Sequence, residues 1–262
     1  MQESVDFKSG YSEVNGLSMY YEIYGTGKPL VLIHGGGSNI QTTFGNIIPK
    51  LAKHRQIIAM DLQAHGRTND RNANLSFEQD ADDVATLCKN LDITKADFLG
   101  FSNGGQTTIE LALRHPELIN KIIIASAFYK LNAVVPQFWD GFNHATQNDM
   151  LQVLREAYLK VTNNDEAGLL NMFNRDVQRM KTFKGWTDEQ MKLIKAPALV
   201  INGSHDISTP EHAVEMYRVI PDSELAIFPG GHGAYLGAIE TLENGNWSPF
   251  NAIHLIEEFL DK

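Results

Sequence analysis

Cysteine is almost absent from this chain: Cys88 is the only one among 262 residues. An intrachain disulfide and a metal site built from several cysteines are therefore excluded. The residues around Cys88 have the pattern of an apolar helix, so we expect the thiol to be buried and chemically inert.

Long apolar runs are also missing. No stretch reaches the roughly 20 residues that a membrane-spanning helix needs, and the amino terminus lacks the apolar core of a signal peptide. We therefore expect no membrane span and, by default, a cytoplasmic protein. Because the chain begins Met1-Gln2-Glu3, a trimmed signal peptide stays open as the alternative.

Basic side chains are scarce relative to acidic ones. Lys and Arg number 22 against 32 Asp and Glu, which gives a net charge of −10. A nucleic-acid surface needs clustered Lys and Arg to neutralise phosphates. We therefore expect no nucleic-acid partner, and the composition leaves the oligomeric state open.

What the sequence does contain is an alternation of strand and helix patterns, typical of a doubly wound, mostly parallel sheet. Its 262 residues, 43% of them hydrophobic, suffice for one α/β domain with an insertion. A hairpin is predicted over 11–24, turning at Asn15-Gly16. The further predicted strands are 29–33, 56–60, 96–99, 121–125, 198–201 and 224–228, and the predicted helices include 43–53, 76–91, 106–114 and 251–260.

Gly100-Phe101-Ser102-Asn103-Gly104 is a G-x-S-x-G pentapeptide between a predicted strand and a predicted helix. A serine at such a sharp turn is held in strained backbone geometry with its hydroxyl exposed. The helix that follows points unpaired N–H groups at any oxyanion forming nearby. A plain glycine turn is the alternative for the bare pattern, but its context predicts a serine nucleophile at Ser102.

An acid and a base follow Ser102 in the order that such a site requires. Asp206 and His232 each come just past a predicted buried strand, and His232 lies on a glycine-rich loop. Either residue alone is more often a turn or capping residue. Together they predict the catalytic triad Ser102, Asp206 and His232. The loop after 121–125 offers Ser126 and no carboxylate, which favours Asp206 as the acid.

The segment His34-Gly35-Gly36-Gly37 follows the predicted strand over 29–33. Glycines at this position let the backbone approach a substrate closely. We predict that the N–H groups of Gly36 and Asn103 form an oxyanion hole, with Gly35 and Gly37 shaping the loop. A simple glycine turn is the alternative.

These motifs together resemble the α/β-hydrolase superfamily. Those that carry the resemblance stand in the family's order over most of the chain: His34 to Gly37, Asp61 to Thr68, Gly100 to Gly104, Gly203 to Asp206, and Gly231-His232. The resemblance is to the compact branch of esterases, cofactor-free haloperoxidases and C–C-bond hydrolases, and it implies no cofactor. Ser102 departs from the Asp nucleophile of epoxide hydrolases and dehalogenases, and Asn103 stands where many relatives carry Met, Gln or His.

Residues 128–186 interrupt the strand–helix alternation and have helical periodicity. We predict that they form a helical cap inserted in an α/β-hydrolase core made of residues 1–127 and 187–262. The aromatic residues predicted to line an apolar pocket are Phe128, Phe138, Trp139, Phe142 and Trp186. Packing of the cap against the core is the alternative role for each of them.

Three weaker patterns are interpreted without a role in catalysis. Gly25 to Lys28 lacks the spacing and following helix of a phosphate-binding loop. His144, His205 and His212 show no ligand spacing, so no metal site is expected. His65 is interpreted as a turn-stabilising residue.

The predicted activity is acyl transfer to Ser102 followed by hydrolysis, with a small carboxylic ester as the first choice of substrate. Thioesterase, lactonase, C–C-bond hydrolase and perhydrolase activities use the same residues and remain open. A ligand-binding, receptor-like protein that retains the triad but turns over slowly is the alternative from another class.

Overall fold

The structure is a computed structural model that describes residues 5–243, 245–247 and 251–262. Within them, eight strands form one sheet in the order β1-β2-β4-β3-β5-β6-β7-β8. The pairings β1–β2 and β2–β4 are antiparallel, and the pairings from β4 through β3 to β8 are parallel. The strands are β1 Phe7–Val14, β2 Leu17–Tyr24, β3 Pro29–Ile33, β4 Gln56–Met60, β5 Ala96–Phe101, β6 Ile119–Ala125, β7 Ala198–Gly203 and β8 Ser223–Phe228.

Short loops and helices connect these strands. The helices are α1 Ile40–Phe44, α2 Ile48–Leu51, α3 Phe77–Asn90, α4 Asn103–Arg114, α5 Pro136–His144, α6 Gln152–Val161, α7 Glu166–Thr182, α8 Asp188–Met191, α9 Pro210–Val219 and α10 Ile253–Asp261. None of the helices in the described ranges combines the length and hydropathy of a membrane span.

The predicted opening hairpin is present, although its first strand begins earlier than expected, at Phe7. The turn residues Asn15 and Gly16 have φ values of 47° and 78°. Two consecutive left-handed residues produce the turn whose twist matches that of the flanking strands. The Asn-Gly pair therefore determines the register of this edge of the sheet.

The predicted helix over 43–53 is wrong, because the segment forms two short helices, α1 and α2. Pro49 lies in the first turn of α2. A proline has no backbone N–H and its ring clashes with the preceding turn, so one continuous helix could not pass through this position. The first-turn position is one that tolerates proline.

Apolar residues cover both faces of the sheet, as a doubly wound fold requires. Successive side chains of a strand point to opposite faces. In β3, Val31 and Ile33 pack in one core cluster, whereas Leu30 and Leu32 pack in the other. Helices α3, α4 and α9 supply the first cluster, and α1, α2 and α10 supply the second. Cys88 is fully buried in the first cluster, where burial raises the pKa of its thiol to about 12.

The strand order places a crevice beside β3 and β5. β4, the next strand after β3 in the chain, lies on one side of β3, and β5 lies on the other. Ligands in open α/β sheets bind at the carboxyl ends of the strands where the winding direction changes. Ser102 follows β5 and Gly35 follows β3, so both lie at this position.

The long connection between β6 and β7 contains α5, α6, α7 and α8. Helices α5, α6 and α7 line the same cavity as Ser102. We call α5, α6 and α7 the inserted helices. The division of the chain into a core and a cap at 128 and 186 stays a prediction.

One ion pair connects the ends of two strands in the interior and has a measurable consequence. Arg55, 3% exposed, donates to Asp97, 2% exposed, over 2.9 Å, and Asn120 donates to the other oxygen of Asp97 over 2.7 Å. Removing one partner of a buried pair leaves an uncompensated charge. We therefore expect Arg55→Met to lower the free energy of unfolding by about 3 kcal/mol.

Urea denaturation followed by circular dichroism measures this loss. Lys262→Met is the matched control, because the Lys262–Glu224 pair is solvent-exposed on both sides and exposed pairs contribute little. Equal urea midpoints for the Arg55→Met variant and the unmodified protein would contradict the prediction.

Candidate active site

Ser102 occupies a sharp turn between β5 and α4. Its φ is 54° and its ψ is −123°, a conformation rare for a residue with a side chain. Its N–H donates to Ala125 O over 2.8 Å, which ties the turn to the end of β6. The helix begins at the next residue, Asn103.

Two glycines make this turn possible through close backbone approach. A Cβ on Gly100 would lie 2.0 Å from Gly104 O, and a Cβ on Gly104 would lie 2.0 Å from Ile33 O. Any larger residue would push α4 away from β5 and β3. The two glycines of the pentapeptide are thus explained by helix–strand packing around Ser102.

Asp206 and His232 are joined by a hydrogen bond between the loops after β7 and β8. The distance from His232 Nδ1 to Asp206 Oδ1 is 2.6 Å, and the carboxylate is fully buried while the imidazole is 22% exposed. Although burial alone would raise the pKa of Asp206, the hydrogen bond from His232 and those from its other donors lower it below the ordinary value. Nδ1 of His232 is therefore occupied as a donor, which leaves Nε2 to exchange a proton.

Further donors hold the Asp206 carboxylate in place. The Ser126 hydroxyl donates to Oδ2 over 2.5 Å, Gly203 N–H donates to the same oxygen over 2.9 Å, and Ile207 N–H donates to Oδ1 over 2.7 Å. Tyr235 OH lies 2.7 Å from Ser126 Oγ. The contact of Ser126 with the acid was not predicted from the sequence, where its position after β6 was the available signal.

The glycine loop after β3 approaches Ser102 closely. A Cβ on Gly35 would lie 3.1 Å from Ser102 Cβ. Among the hydrogen bonds of the described residues, the N–H groups of Gly36 and Asn103 have no protein acceptor, whereas Gly37 N–H donates to Asp176 over 2.7 Å. Gly36 and Asn103 therefore have backbone donors available for a ligand, and Gly37 does not.

Ser102 and His232 line one cavity of about 460 Å³. Its walls are mostly apolar and come from the glycine loop, the inserted helices and the loop after β8. The other lining residues are Gly35, Gly36, Gly37, Ser38, Phe101, Asn103, Phe128, Phe138, Phe142, Ala145, Asp149, Met150, Leu151, Leu154, Met172, Phe173, Asp176, Val177, Met180, Ile207 and Glu240. Phe128, Phe138 and Phe142 therefore line this cavity, and their contact with a substrate stays a prediction.

Trp139 and Trp186 do not line this cavity, contrary to expectation. Trp139 stacks on Phe183 with 6.0 Å between the ring centroids. Trp186 Nε1 donates to Glu110 over 2.6 Å, and its ring packs against Phe183. An indole N–H needs a partner when buried. Trp186 finds it in Glu110 of α4, whereas Trp139 Nε1 donates to Leu131 O over 2.8 Å within the connection between β6 and β7.

The titratable side chains that line the cavity are acidic, apart from His232. Asp149 is at the exposed rim, and Asp176 and Glu240 are further in. Burial raises the pKa of Glu240 above its ordinary value, which favours the neutral acid. No Lys or Arg side chain lines the cavity within the described residues. The same residues contain no group of three metal-ligating side chains.

Two buried histidines, His34 and His65, pack beside the glycine loop. His34 Nδ1 donates to Gly35 O over 2.7 Å, and His34 Nε2 accepts from Leu62 N–H over 3.0 Å. Burial lowers the pKa of His34 to about 3, so this ring is neutral. His65 Nδ1 donates to Gln63 O over 2.8 Å, in agreement with the interpretation of a turn-stabilising residue, but its Nε2 also reaches Asp176.

Asp176 was not predicted as a site residue, although the sequence contains a signal for it. Helix α7 has apolar residues at positions 169, 172, 173, 177 and 180, which share one face at helical spacing. Position 176 lies within this stripe, so a carboxylate there had to face the interior. A polar residue on an apolar helical face is a sign of a specific partner.

The profile of the α/β hydrolase fold family matches residues 28–172, more than half of the chain. The chain therefore belongs to the α/β-hydrolase family. The match spans the glycine loop, the turn at Ser102 and most of the inserted helices. It supports an enzymatic role as a hydrolase.

Relatives by sequence match parts of the chain that differ in length. An uncharacterized protein of Mycobacterium tuberculosis is 33% identical over 117 residues, which cover 45% of this chain and 34% of that protein; the chain thus matches about a third of its length. A 2-hydroxy-6-oxo-6-(2'-aminophenyl)hexa-2,4-dienoic acid hydrolase of Metapseudomonas resinovorans is 25% identical over 275 residues, covering 94% of this chain and 93% of the relative.

Solved structures with the same fold have diverse activities. A serine hydrolase involved in carbazole degradation has a TM-score of 0.79 at 21% identity, covering 98% of this chain and 99% of that one. A thermophilic esterase from Thermogutta terrifontis has a TM-score of 0.75 at 19% identity, covering 98% of each chain. An enol-lactonase from Burkholderia xenovorans LB400 has a TM-score of 0.73 at 21% identity, covering 97% and 100%.

Proposed function

We propose that this protein is a serine hydrolase that cleaves small, uncharged carboxylic esters through an acyl-enzyme at Ser102. The observation that carries the proposal is a single apolar cavity that is lined both by a serine in strained backbone geometry and by a histidine bonded to a buried carboxylate. The three residues follow the carboxyl ends of β5, β7 and β8, so they lie at the same end of the parallel strands. This arrangement supports nucleophilic catalysis.

In the proposed mechanism, Ser102 Oγ attacks the ester carbonyl while His232 Nε2 removes the hydroxyl proton. The carbonyl oxygen becomes an oxyanion that accepts hydrogen bonds from Gly36 N–H and Asn103 N–H. Collapse of the tetrahedral intermediate breaks the ester C–O bond, and His232 returns its proton to the departing alcohol. Water, deprotonated by His232, then attacks the acyl-enzyme and releases the acid and free Ser102.

Asp206 has a positional role in both steps. Its bond to His232 Nδ1 selects the tautomer in which Nε2 carries the lone pair, and its charge stabilises the imidazolium that forms. Four donors already satisfy the carboxylate. Asp206 therefore stays ionised throughout the cycle.

The lining of the cavity favours an uncharged acyl group over an acid. Asp176 and Glu240 face the cavity, and within the described residues no Lys or Arg side chain does so. A substrate carboxylate moved into this apolar site would lose its hydration without gaining a cationic partner. Aliphatic and aromatic acyl groups match the Phe128, Phe138 and Phe142 walls instead.

C–C-bond hydrolysis is the second candidate. It is favoured by the dienoic acid hydrolase that aligns with 94% of this chain. That relative's name specifies an acid substrate, and the lack of a cationic side chain among the described lining residues opposes such a substrate here. The two candidates share the triad and differ in the charge of the substrate.

The experiment that tests the proposal combines labelling and turnover. A fluorophosphonate probe should add once per chain, and peptide mapping should locate the adduct on Ser102. p-Nitrophenyl esters of increasing acyl length should show sustained turnover with a maximum at one chain length, whereas a 2-hydroxy-6-oxo-dienoate should be turned over poorly. Preferred turnover of the dienoate would support the C–C hydrolase, and a burst followed by slow release would support the receptor-like alternative.

The apolar walls of the cavity lead to a prediction about the length of the preferred acyl chain. Phe142 lines the cavity from α5, so Phe142→Ala should extend the acyl pocket. Each additional methylene buried there contributes about 0.8 kcal/mol, or roughly fourfold in kcat/KM. We therefore expect Phe142→Ala to move the maximum of kcat/KM to p-nitrophenyl esters with longer acyl chains. Leu170→Ala is the control, because Leu170 is 45% exposed on α7 and lies outside the cavity; an unchanged chain-length profile for Phe142→Ala would contradict the prediction.

A further inference from the structure

Asp176 is a carboxylate of the inserted helices that contacts the glycine loop directly. It lies on α7, is 13% exposed and lines the cavity that contains Ser102. Its Oδ2 accepts from Gly37 N–H over 2.7 Å and from His65 Nε2 over 2.9 Å. Its Oδ1 accepts from Arg179 Nη2 over 2.6 Å. Both carboxylate oxygens are therefore engaged.

The contacts continue into the core as a chain of alternating charges. Arg179, 2% exposed in its side chain, also donates to Asp80 of α3 over 2.7 Å. The four groups from His65 through Asp176 and Arg179 to Asp80 thus connect the turn after β4, the helix α7 and the helix α3. Such a buried network is rigid when every member has its partner.

The pKa shifts of Asp176 and His65 agree with the geometry of their contact. Burial would raise the pKa of Asp176, but the adjacent His65 and Arg179 hold it well below its ordinary value. Burial would lower the pKa of His65, but Asp176 raises it above its ordinary value. The Asp176 carboxylate is therefore ionised, and an ionised acceptor holds the Gly37 N–H more strongly than a neutral one.

The hydrogen bond from Gly37 N–H to Asp176 also affects the preceding residue, Gly36. Accepting the Gly37 N–H fixes the orientation of the peptide between Gly36 and Gly37. A Cβ on Gly36 would lie 3.3 Å from Asp176 Oδ2 and 2.5 Å from Asn103 Nδ2, so the loop is enclosed on that side as well. The peptide that carries the free Gly36 N–H is the one between Gly35 and Gly36, and it is held on both sides: His34 Nδ1 donates to Gly35 O over 2.7 Å, and Asp176 fixes the peptide that follows.

We infer that Asp176 is a positioning residue that holds the Gly36 N–H in the geometry needed to bind the oxyanion. This inference rests on the proposed function of the Ser102 site. Asp176 acts through the loop and not on the substrate, because its oxygens are already occupied by three donors. Its effect should therefore fall on the transition state more than on substrate binding.

An ordinary structural role for Asp176 would be to anchor the inserted helices, and the chain offers a matched control for it. Arg175, one residue earlier on α7, also joins this helix to the core, through bonds of 2.8 Å to Asp70 and 3.1 Å to Asn72. Arg175 contacts neither the glycine loop nor the cavity within the described residues. Arg175→Gln therefore weakens anchoring without touching the oxyanion donors.

The test compares Asp176→Asn with Arg175→Gln and the unmodified protein. We expect Asp176→Asn to lower kcat for p-nitrophenyl butyrate by about tenfold to a hundredfold, with KM changed less than threefold. The rate of fluorophosphonate labelling and the affinity for a phenylboronic acid, which forms a tetrahedral adduct on serine, should fall in parallel. Arg175→Gln should keep kcat within twofold.

Several results would overturn the inference. They are an unchanged kcat in Asp176→Asn, a change confined to KM, and an equal loss of kcat in Arg175→Gln. If Asp176→Asn does not fold, His65→Gln and His65→Leu carry the test, because glutamine retains a donor for Asp176 and leucine does not. In that pair, kcat should fall in the leucine variant only, and equal values in the two would also overturn the inference.

The fluorophosphonate experiment distinguishes a failure of the proposed function from a failure of the inferred role of Asp176. If the unmodified protein is not labelled by the fluorophosphonate, the Ser102 mechanism is wrong. If it is labelled, but at the same rate in the Asp176→Asn variant, only the role of Asp176 is wrong.

Discussion

Replacing Ser102 by alanine should lower kcat for p-nitrophenyl butyrate by about 10⁶-fold. Ser102 has a backbone φ of 54° and lines the apolar cavity. No neighbouring hydroxyl takes its place in the proposed mechanism, because Ser126 is committed to Asp206. The remaining rate comes from the oxyanion donors acting on bound substrate, which alone give about 10³-fold over water.

Steady-state kinetics with the highly purified Ser102→Ala variant measures this loss of kcat. Intact mass after fluorophosphonate treatment gives an independent readout. The Ser102→Ala variant should remain unlabelled while its thermal unfolding midpoint stays close to that of the unmodified protein. Alanine is smaller than serine and leaves the glycine contacts around the turn intact. Retained turnover together with labelling at another serine would assign the nucleophile elsewhere.

The second large effect should come from Asp206→Asn, which lowers kcat by about 10⁴-fold. Asparagine has nearly the same shape, but its amide donates a hydrogen bond where the carboxylate only accepts. If that amide faces His232 Nδ1, the ring adopts the tautomer whose Nε2 carries the proton and lacks the lone pair that removes the Ser102 proton. The loss of the buried negative charge also removes the stabilisation of the imidazolium.

Ser126→Ala is the matched control for Asp206→Asn. It removes one of the donors to Asp206 Oδ2 and leaves the 2.6 Å bond to His232. Its effect on kcat should therefore be at least a hundredfold smaller than that of Asp206→Asn, given about 10⁴-fold for the latter. Similar losses in the two variants would mean that Asp206 acts by supporting the loop and not by selecting the tautomer.

Much of the core fold could be predicted from the sequence because its signals are local. The strands β3 and β4 have the predicted boundaries, and Asn15-Gly16 turns the hairpin as expected. Continuous apolar runs mark strands that are buried on both faces. Motifs at strand ends are also local, and for that reason Ser102, Asp206 and His232 could be proposed as a triad from the sequence alone.

The cavity walls were harder to predict because they depend on how the inserted helices pack. Trp139 and Trp186 are large and apolar, as expected of a pocket wall, yet both pack between elements. Periodicity identifies the face of a helix but not the element that this face meets. Asp176 shows the same limit, since its partners Gly37 and His65 are more than 100 residues away.

The proposed triad and the cavity walls come from different segments of the chain, which has a consequence for engineering. The proposed triad residues follow β5, β7 and β8, whereas most of the residues that line the cavity come from the connection between β6 and β7, which contains the inserted helices. Exchanging those helices for the corresponding segment of another α/β hydrolase would change the substrate range without altering the nucleophile. Such a chimera would have to carry an acceptor at position 176, because the receiving scaffold keeps the Gly37 and His65 donors that the carboxylate satisfies. A library of grafted segments is best filtered on that one position before any screening for activity.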